Sequence, residues 1–258
     1  MSASDDQPIP AATLVIFRGG RERPEPELLM VVRSRKMSFA GGMAVFPGGR
    51  VDPADYMLAQ QLARDEDPEE LAHRIAAIRE TLEETGLAVG LSGAIDGLLA
   101  REARADLLKQ GALAPVLDRF GWTIDRDAII PFARWLPLGM AHSRIFDTRF
   151  YLADLGTGAV DVEVDATENT QLFWVSAKGA LEMAEREEIA LIFPTRRNLE
   201  RLALFDDFSD ARAHAQATPV RIITPQVDDS GPAPVLRIPG DAGYPVTTEV
   251  LDRAMRGD

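Results

Sequence analysis

The chain has 258 residues, 46% of them hydrophobic and 27% charged, the balance of a globular protein with a sizeable core and one large domain rather than two. Its 41 acidic against 28 basic residues give a net charge of −13, which repels polyphosphate backbones and excludes a nucleic-acid polymer as the expected partner. Zero cysteines exclude disulfides, thiolate metal sites and cysteine nucleophiles; the acidic opening "MSASDDQPIP" and the lack of an apolar run of about 18 residues point away from a signal peptide or membrane span, so a cytoplasmic location is expected.

Residues 1–11 read as a flexible N-terminus. Three strand-like runs follow, at 12–18, 27–34 and 42–47, separated by turns rich in Gly and Pro. The third runs into "FPGGRVDPADY" (46–56), where Gly48 and Gly49 suggest a tight turn that brings backbone close to something, and Asp52 and Asp55 suggest that something carries positive charge. An ordinary hairpin end fits the same residues.

The period then changes. In "DPEELAHRIAAIRETLEETGL" (67–87), Leu71, Ile75, Ile78 and Leu82 form an apolar stripe at helical spacing. Asp67 as N-cap, Pro68 in the first turn, Glu70 three residues after the cap and Gly86 as the stop predict one long helix. Glu80, Glu83 and Glu84 lie opposite the stripe within roughly 100° of each other, so packing the stripe on a sheet aims three carboxylates outward together. Like charges at that spacing repel by a few tenths of a kcal/mol per pair, and Arg79 relieves part of this through Glu83. His73 shares this face two turns earlier and reads as a surface residue. The carboxylates fit either a solvated acidic face or a site for a hard cation that keeps waters for a phosphorylated substrate to replace.

Residues 94–120 look helical again and break near Gly111 and Pro115. Strand-like runs return at 128–138, 148–155 and 170–176, followed by helices at 177–188 and about 195–205. The polar stretch 206–218 is the nearest thing to a linker, and the tail from 219 holds extended segments among Pro and Gly with a disordered end expected. The mixture reads as α/β or α+β around a mixed sheet.

The glycines of "FPGG" followed by "RETLEETGL" resemble the Nudix box, G-x5-E-x7-R-E-U-x-E-E-x-G-U with U apolar. Arg79, Glu80, Glu83, Glu84, Gly86 and Leu87 match its second half, while Thr81 stands at a position usually apolar. Gly49 to Arg79 spans 79 − 49 = 30 positions where the usual box has 14, so about 16 residues are inserted, and Asp55 stands where the first Glu would be. A long insertion there resembles the branch of peroxisomal coenzyme A diphosphatases and their bacterial relatives. "RSRKMSFAGGMAVFPGGRVDPAD" (33–55), "SRIFDTRFYLA" (143–153) and "FPTRRNLERLA" (193–203) are similar to that branch's approach to the box, mid-domain strand and late helix.

The resemblance implies a Nudix-type α/β/α sandwich around a mixed β-sheet, with the domain at 12–205, helical insertions at about 53–66 and 94–127, and a C-terminal extension, 206–258, packing on it. It also implies Mg²⁺ or Mn²⁺ held by Glu80, Glu83, Glu84 and the Gly48 carbonyl. The substrate is then a small nucleotide diphosphate, most directly coenzyme A or acyl-coenzyme A, cut by an activated water. ADP-ribose, NADH and dinucleoside polyphosphates stay open, as does a regulator that binds a nucleotide without cutting it. An isoprenoid diphosphate isomerase would require a catalytic Cys that this chain lacks.

Glu80 and Glu83 are the catalytic candidates on the helix. Among Asp161, Glu163, Asp165 and Glu168, Glu168 is the favoured general base of a later loop. Arg33, Arg35, Gly49 and Arg79 are the substrate-binding candidates, with Arg144 and Arg149 weaker ones. Trp135, Phe150 and Trp174 are expected in the core, with base stacking the alternative. The insertions are long enough to cap a cleft or form a homodimer contact, but no membrane association is expected.

Overall fold

The computed structural model describes residues 7–19, 25–34, 40–138, 144–156 and 169–255. The first strand, β1 (Ile9–Arg18), is buried on both faces, and the alternation of its side chains assigns Leu14 and Ile16 to one core and Val15 and Phe17 to the other. It is joined by β2 (Glu27–Arg33), β3 (Ala44–Val45) and β4 (Gly48–Arg50). Helices α1 (Pro53–Leu62) and α2 (Pro68–Thr85) follow, then β5 (Leu91–Ser92), α3 (Gly97–Gln110), α4 (Leu113–Phe120) and β6 (Thr123–Ile124). Strands β7 (Ile130–Trp135), β8 (Phe146–Asp154) and β9 (Asn169–Ser176) complete the centre of the sheet. The chain ends with α5 (Ala177–Glu185), α6 (Phe193–Leu202), α7 (Phe208–Ala217), β10 (Ile222–Ile223), β11 (Gln226–Asp228), β12 (Val235–Arg237), β13 (Thr248–Val250) and α8 (Leu251–Ala254).

The main sheet has eight strands in the order β10-β7-β8-β1-β2-β3, with β4 also on β1 and β9 also on β2. One face packs on α1 to α4 and the other on α5 to α7 and the tail, which makes the expected α/β/α sandwich around a mixed sheet. Among the described residues no helix is long and apolar enough to cross a membrane.

A fork in this sheet positions the site. β1 and β2 pair antiparallel only at Phe17↔Leu28 and Arg18↔Glu27, and then diverge. The space left beside the first half of β1 is taken by β4, with Ala11↔Arg50, Ala12↔Gly49 and Thr13↔Gly48. The two glycines therefore lie inside a sheet, and α2 crosses over them.

Three of the four α2 signals are used. The Asp67 side chain accepts from the Glu69 N–H at 3.0 Å, Pro68 opens the helix, and Gly86, at φ 75°, closes it with its N–H on the Leu82 carbonyl at 3.0 Å. Glu70, expected to complete a capping box, instead accepts from Arg149 at 2.6 Å and from the Tyr151 hydroxyl at 3.0 Å. Two neighbours across the sheet outbid the local backbone.

Other expectations change. The 206–218 stretch is not a linker: Phe208–Ala217 is α7, its N-cap Asp207 accepting from the Asp210 N–H at 3.0 Å and its Ala211 and Ala215 buried. The small alanines gave too little hydrophobic contrast to mark the buried face. The helical region at 94–120 does break at Gly111, but Pro115 lies in the first turn of α4, where a missing N–H is tolerated. The tail is ordered through α8, and residues 256–258 lie outside those described.

The tail is tied to α6 and β7 by buried polar contacts. Tyr244 Oη donates to Asn198 Oδ1 at 2.6 Å and accepts from Trp135 Nε1 at 3.0 Å, while Arg197 Nη2 meets Glu249 at 2.8 Å. Strand β10 extends the main sheet in parallel beside β7. Replacing Tyr244→Phe leaves the Trp135 donor and Asn198 without this partner in the interior, so urea unfolding is expected to show a loss of about 2 kcal/mol in one cooperative transition. A separate early transition would show instead that the tail unfolds independently.

Candidate active site

Arg79 is the hub of the site. It is 3% exposed, and all five of its N–H groups are engaged. Nε and Nη2 grip Asp55 at 3.0 and 2.9 Å, Nη2 also donates to the Arg50 carbonyl at 2.9 Å, and Nη1 donates to Glu80 and to Glu83, each at 3.0 Å. The i, i+4 contact to Glu83 is the one read from the sequence. Burial works against the charge of Arg79, but hydrogen bonds to Asp55 and the negative charge of Glu80, Asp55 and Glu83 outweigh it and hold the guanidinium protonated. Its internal partners are thus Asp55, Glu80, Glu83 and the Arg50 carbonyl, and Asp55 is itself only 1% exposed.

Asp55 comes from the inserted segment. Its carboxylate also accepts from the Asp52 N–H at 2.9 Å, so the capping box that starts α1 and the anchor for Arg79 share one side chain. From α3, Arg104 Nε donates to the Glu83 carbonyl at 2.8 Å, at the end of α2 where the last turn has no basic residue of its own. Nothing local in the sequence links residues 55, 79 and 104; α1 and α3 had to be placed before these contacts were legible.

The three glutamates do not project into solvent as expected. Glu84 is 3% exposed, with Glu80 and Glu83 at 15% and 18%, because the β4 turn lies over the helix face opposite the apolar stripe. The Gly48 N–H donates to Glu84 at 3.1 Å. Gly49 lies so close to Glu80 that a Cβ there would fall 2.3–2.6 Å from its carboxylate atoms, so any side chain at 49 would displace that carboxylate. Burial pushes Glu80 up to about 8, opposed by Arg79 and reinforced by the charges of Glu84 and Glu83; burial also raises Glu83.

Among the described residues no three His, Asp or Glu side chains converge as a preformed metal cluster, and Arg79 Nη1 bonds both Glu80 and Glu83. The donor set nonetheless suits a hard cation. It is all oxygen, and three carboxylates share one helix face, with burial and the charges of Glu84 and Glu83 raising Glu80 against the pull of Arg79.

Arg33 ends β2 where the pairing with β9 shifts register, its Nε buried and without a hydrogen-bond partner among the described residues. Arg35, Asp161, Glu163, Asp165 and Glu168 lie outside the described residues. Arg149 is committed elsewhere, to Glu69 and Glu70 at 2.6 Å each, while Arg144 is exposed just ahead of β8. His73 is buried rather than on the surface, its Nδ1 2.8 Å from the Glu69 carbonyl and its pKa lowered by burial. Trp135 and Phe150 are core residues, as expected.

Residues 8–110 match the NUDIX domain model. The acyl-coenzyme A diphosphatase NUDT19 of Gallus gallus is 29% identical over 264 residues, covering 78% of this chain and 69% of that protein. The crystal structure of a NUDIX hydrolase from Alicyclobacillus acidocaldarius matches with a TM-score of 0.70 and 29% identity, over 80% of this chain and 96% of that one.

The buried Glu80 makes a signed prediction for the metal-free protein. Its folded value, about 8, lies above its ordinary 4.5, so its contribution is fully present below about pH 4.5 and is lost as pH rises through 8. With chelator present, the melting temperature of the wild type is expected to fall between pH 6 and 8.5 by on the order of 5 °C more than that of Glu80→Gln. Parallel curves for the two proteins would refute the shift.

Proposed function

This chain is a Nudix hydrolase, and we propose that it cleaves the diphosphate bond of coenzyme A or an acyl-coenzyme A in a metal-dependent reaction. One observation carries the site assignment: Glu80 and Glu84 meet the Gly49 and Gly48 backbone from a helix 30 residues further along the chain. An acidic face with no function has no need to be buried under a glycine turn at the cost of raising a carboxylate to about 8. The coenzyme A preference is supported by the relative's name, an acyl-coenzyme A diphosphatase, and by the 30 positions between Gly49 and Arg79.

In this reading Glu80, Glu83, Glu84 and the Gly48 carbonyl would hold Mg²⁺ or Mn²⁺. When bound, such an ion offsets the diphosphate charge and makes a water nucleophilic near neutral pH, which reconciles a −13 protein with an anionic substrate. The remaining roles belong to the chain. Arg79, fixed by Asp55, keeps Glu80 and Glu83 in register on one side of the helix. Gly49, lacking a side chain, lets the β4 backbone lie directly against the Glu80 carboxylate. Arg33, its Nε without a partner among the described residues, holds a phosphate oxygen. The attacking water gives its proton to Glu80, or to Glu168 of the later loop.

The test is a product screen with Mg²⁺ or Mn²⁺ over coenzyme A, acyl-coenzyme A, ADP-ribose, NADH and dinucleoside polyphosphates. Coenzyme A compounds are expected to give paired phosphorylated products, and Glu84→Gln to lower turnover by on the order of 10³-fold with the melting temperature retained. Turnover confined to another substrate would remove the coenzyme A assignment. Nucleotide binding without any turnover would favour a regulator.

A further inference from the structure

We infer that Trp174 and Arg18 form the platform on which the substrate's nucleobase stacks, an inference that rests on the nucleotide-diphosphate reading above. The chain has three tryptophans, and two are held as structural residues usually are. Trp122, 3% exposed, donates to the Ala94 carbonyl at 3.0 Å, and Trp135, 1% exposed, donates to the Tyr244 hydroxyl at 3.0 Å. Trp174 differs on both counts. It is half-buried, and its Nε1 has no hydrogen-bond partner among the described residues.

Its ring is instead covered by a cation. The Arg18 guanidinium lies 4.2 Å from the ring centroid, fixed by Nε and Nη2 bonds to Glu27 at 3.1 and 2.6 Å. A guanidinium tethered in this way is a flat surface, and both indole and guanidinium planes take stacked bases. Arg18 keeps 16% of its side chain exposed, enough for the outer side of the stack to be reached.

The position fits the proposed chemistry. Trp174 pairs with Leu29 and packs against the same core as α2, so it shares the sheet face that carries Glu80 and Glu84. It stands next to the Phe17↔Leu28 pair where the fork closes, while Gly48 pairs with Thr13 where the fork is open. Four residues of β1 separate the two levels along the strand, about 13 Å at ~3.3 Å per residue, and Trp174 lies two strands to the side of β1. The Arg18 side chain, which projects from β1 to the Trp174 ring, brings the stacking surface back toward the bond to be cut. Arg33, at the far end of β2, marks the phosphate end of the same strip.

Tryptophan fluorescence tests this without turnover, because AMP has no diphosphate bond. In full-length protein with Mg²⁺, AMP is expected to quench the emission saturably, and inorganic phosphate is not. Trp174→Phe should remove the quenching, since Trp122 and Trp135 are shielded, and Arg18→Ala should weaken AMP binding about tenfold. On a nucleotide substrate Trp174→Ala is expected to raise KM about tenfold with a far smaller change in kcat. Quenching that persists in Trp174→Phe, or an unchanged KM while Glu84→Gln abolishes turnover, would overturn the platform and leave the hydrolase reading standing. A wild type that cleaves no nucleotide would overturn that reading, and the AMP titration would still decide the platform.

Discussion

The site depends on one buried ion pair, Arg79 with Asp55. Three glutamates on one helix face repel each other, and burial multiplies that repulsion by lowering the local dielectric. Arg79 lies among them with a fixed fork of donors, two of which face Glu80 and Glu83 at 3.0 Å. Its own desolvation is offset only because Asp55 takes the other side of the fork. Removing the carboxylate of Asp55 would leave a buried cation drawn wholly toward Glu80 and Glu83, which would fold their charges inward. A pair of this kind contributes little net stability, but breaking it from one side costs several kcal/mol. Its value here is geometric, as it fixes where the glutamates are.

That dependence gives α1 a part in the site. Thirty positions separate Gly49 from Arg79, yet the chain brings a carboxylate back to Arg79 by starting α1 with Asp52, Pro53 and Asp55. The same carboxylate caps the helix and anchors the arginine, so α1 cannot shift along its axis without disturbing both. The glycine strand is equally constrained. β4 fills the gap where β2 leaves β1; Gly48, at φ 157° and with β1 backbone 2.4–2.7 Å from where a Cβ would lie, admits no side chain, and Gly49 lies directly against the Glu80 carboxylate. A rigid sheet edge and a capped helix thus meet at two atoms, the Gly48 nitrogen and a Glu84 oxygen, 3.1 Å apart.

What was legible in the sequence follows the range of the forces involved. Asp67, Pro68 and Gly86 marked the ends of α2 because caps act over three or four residues. The α/β/α architecture followed from strand and helix periods together with the family resemblance. The burial of Glu80, Glu83 and Glu84 did not, since it depends on a turn 30 residues upstream whose placement no helical wheel contains. For the same reason Glu70 was read as a capping partner, when Arg149 and Tyr151 of β8 offered it stronger hydrogen bonds. α7 was missed by composition: a helix whose buried face is Ala211 and Ala215 shows little contrast between its two sides.

The two ends of α2 show where function works against folding. At its N-terminus Glu69 and Glu70 complement the helix dipole and bind Arg149, so charge, backbone and sheet agree. At its C-terminal end the dipole is negative, and there the sequence places Glu80, Glu83 and Glu84 with no basic residue in the last turn. Sequence chosen for stability alone would reverse that pattern. Part of the compensation arrives from outside the helix, with Arg104 of α3 on the Glu83 carbonyl, and part from within it, with Arg79 bonded to Glu80 and Glu83 and itself held by Asp55 of α1. A helix end that gathers carboxylates against its own dipole, and draws on a second helix for a cation, is arranged for something other than its own stability.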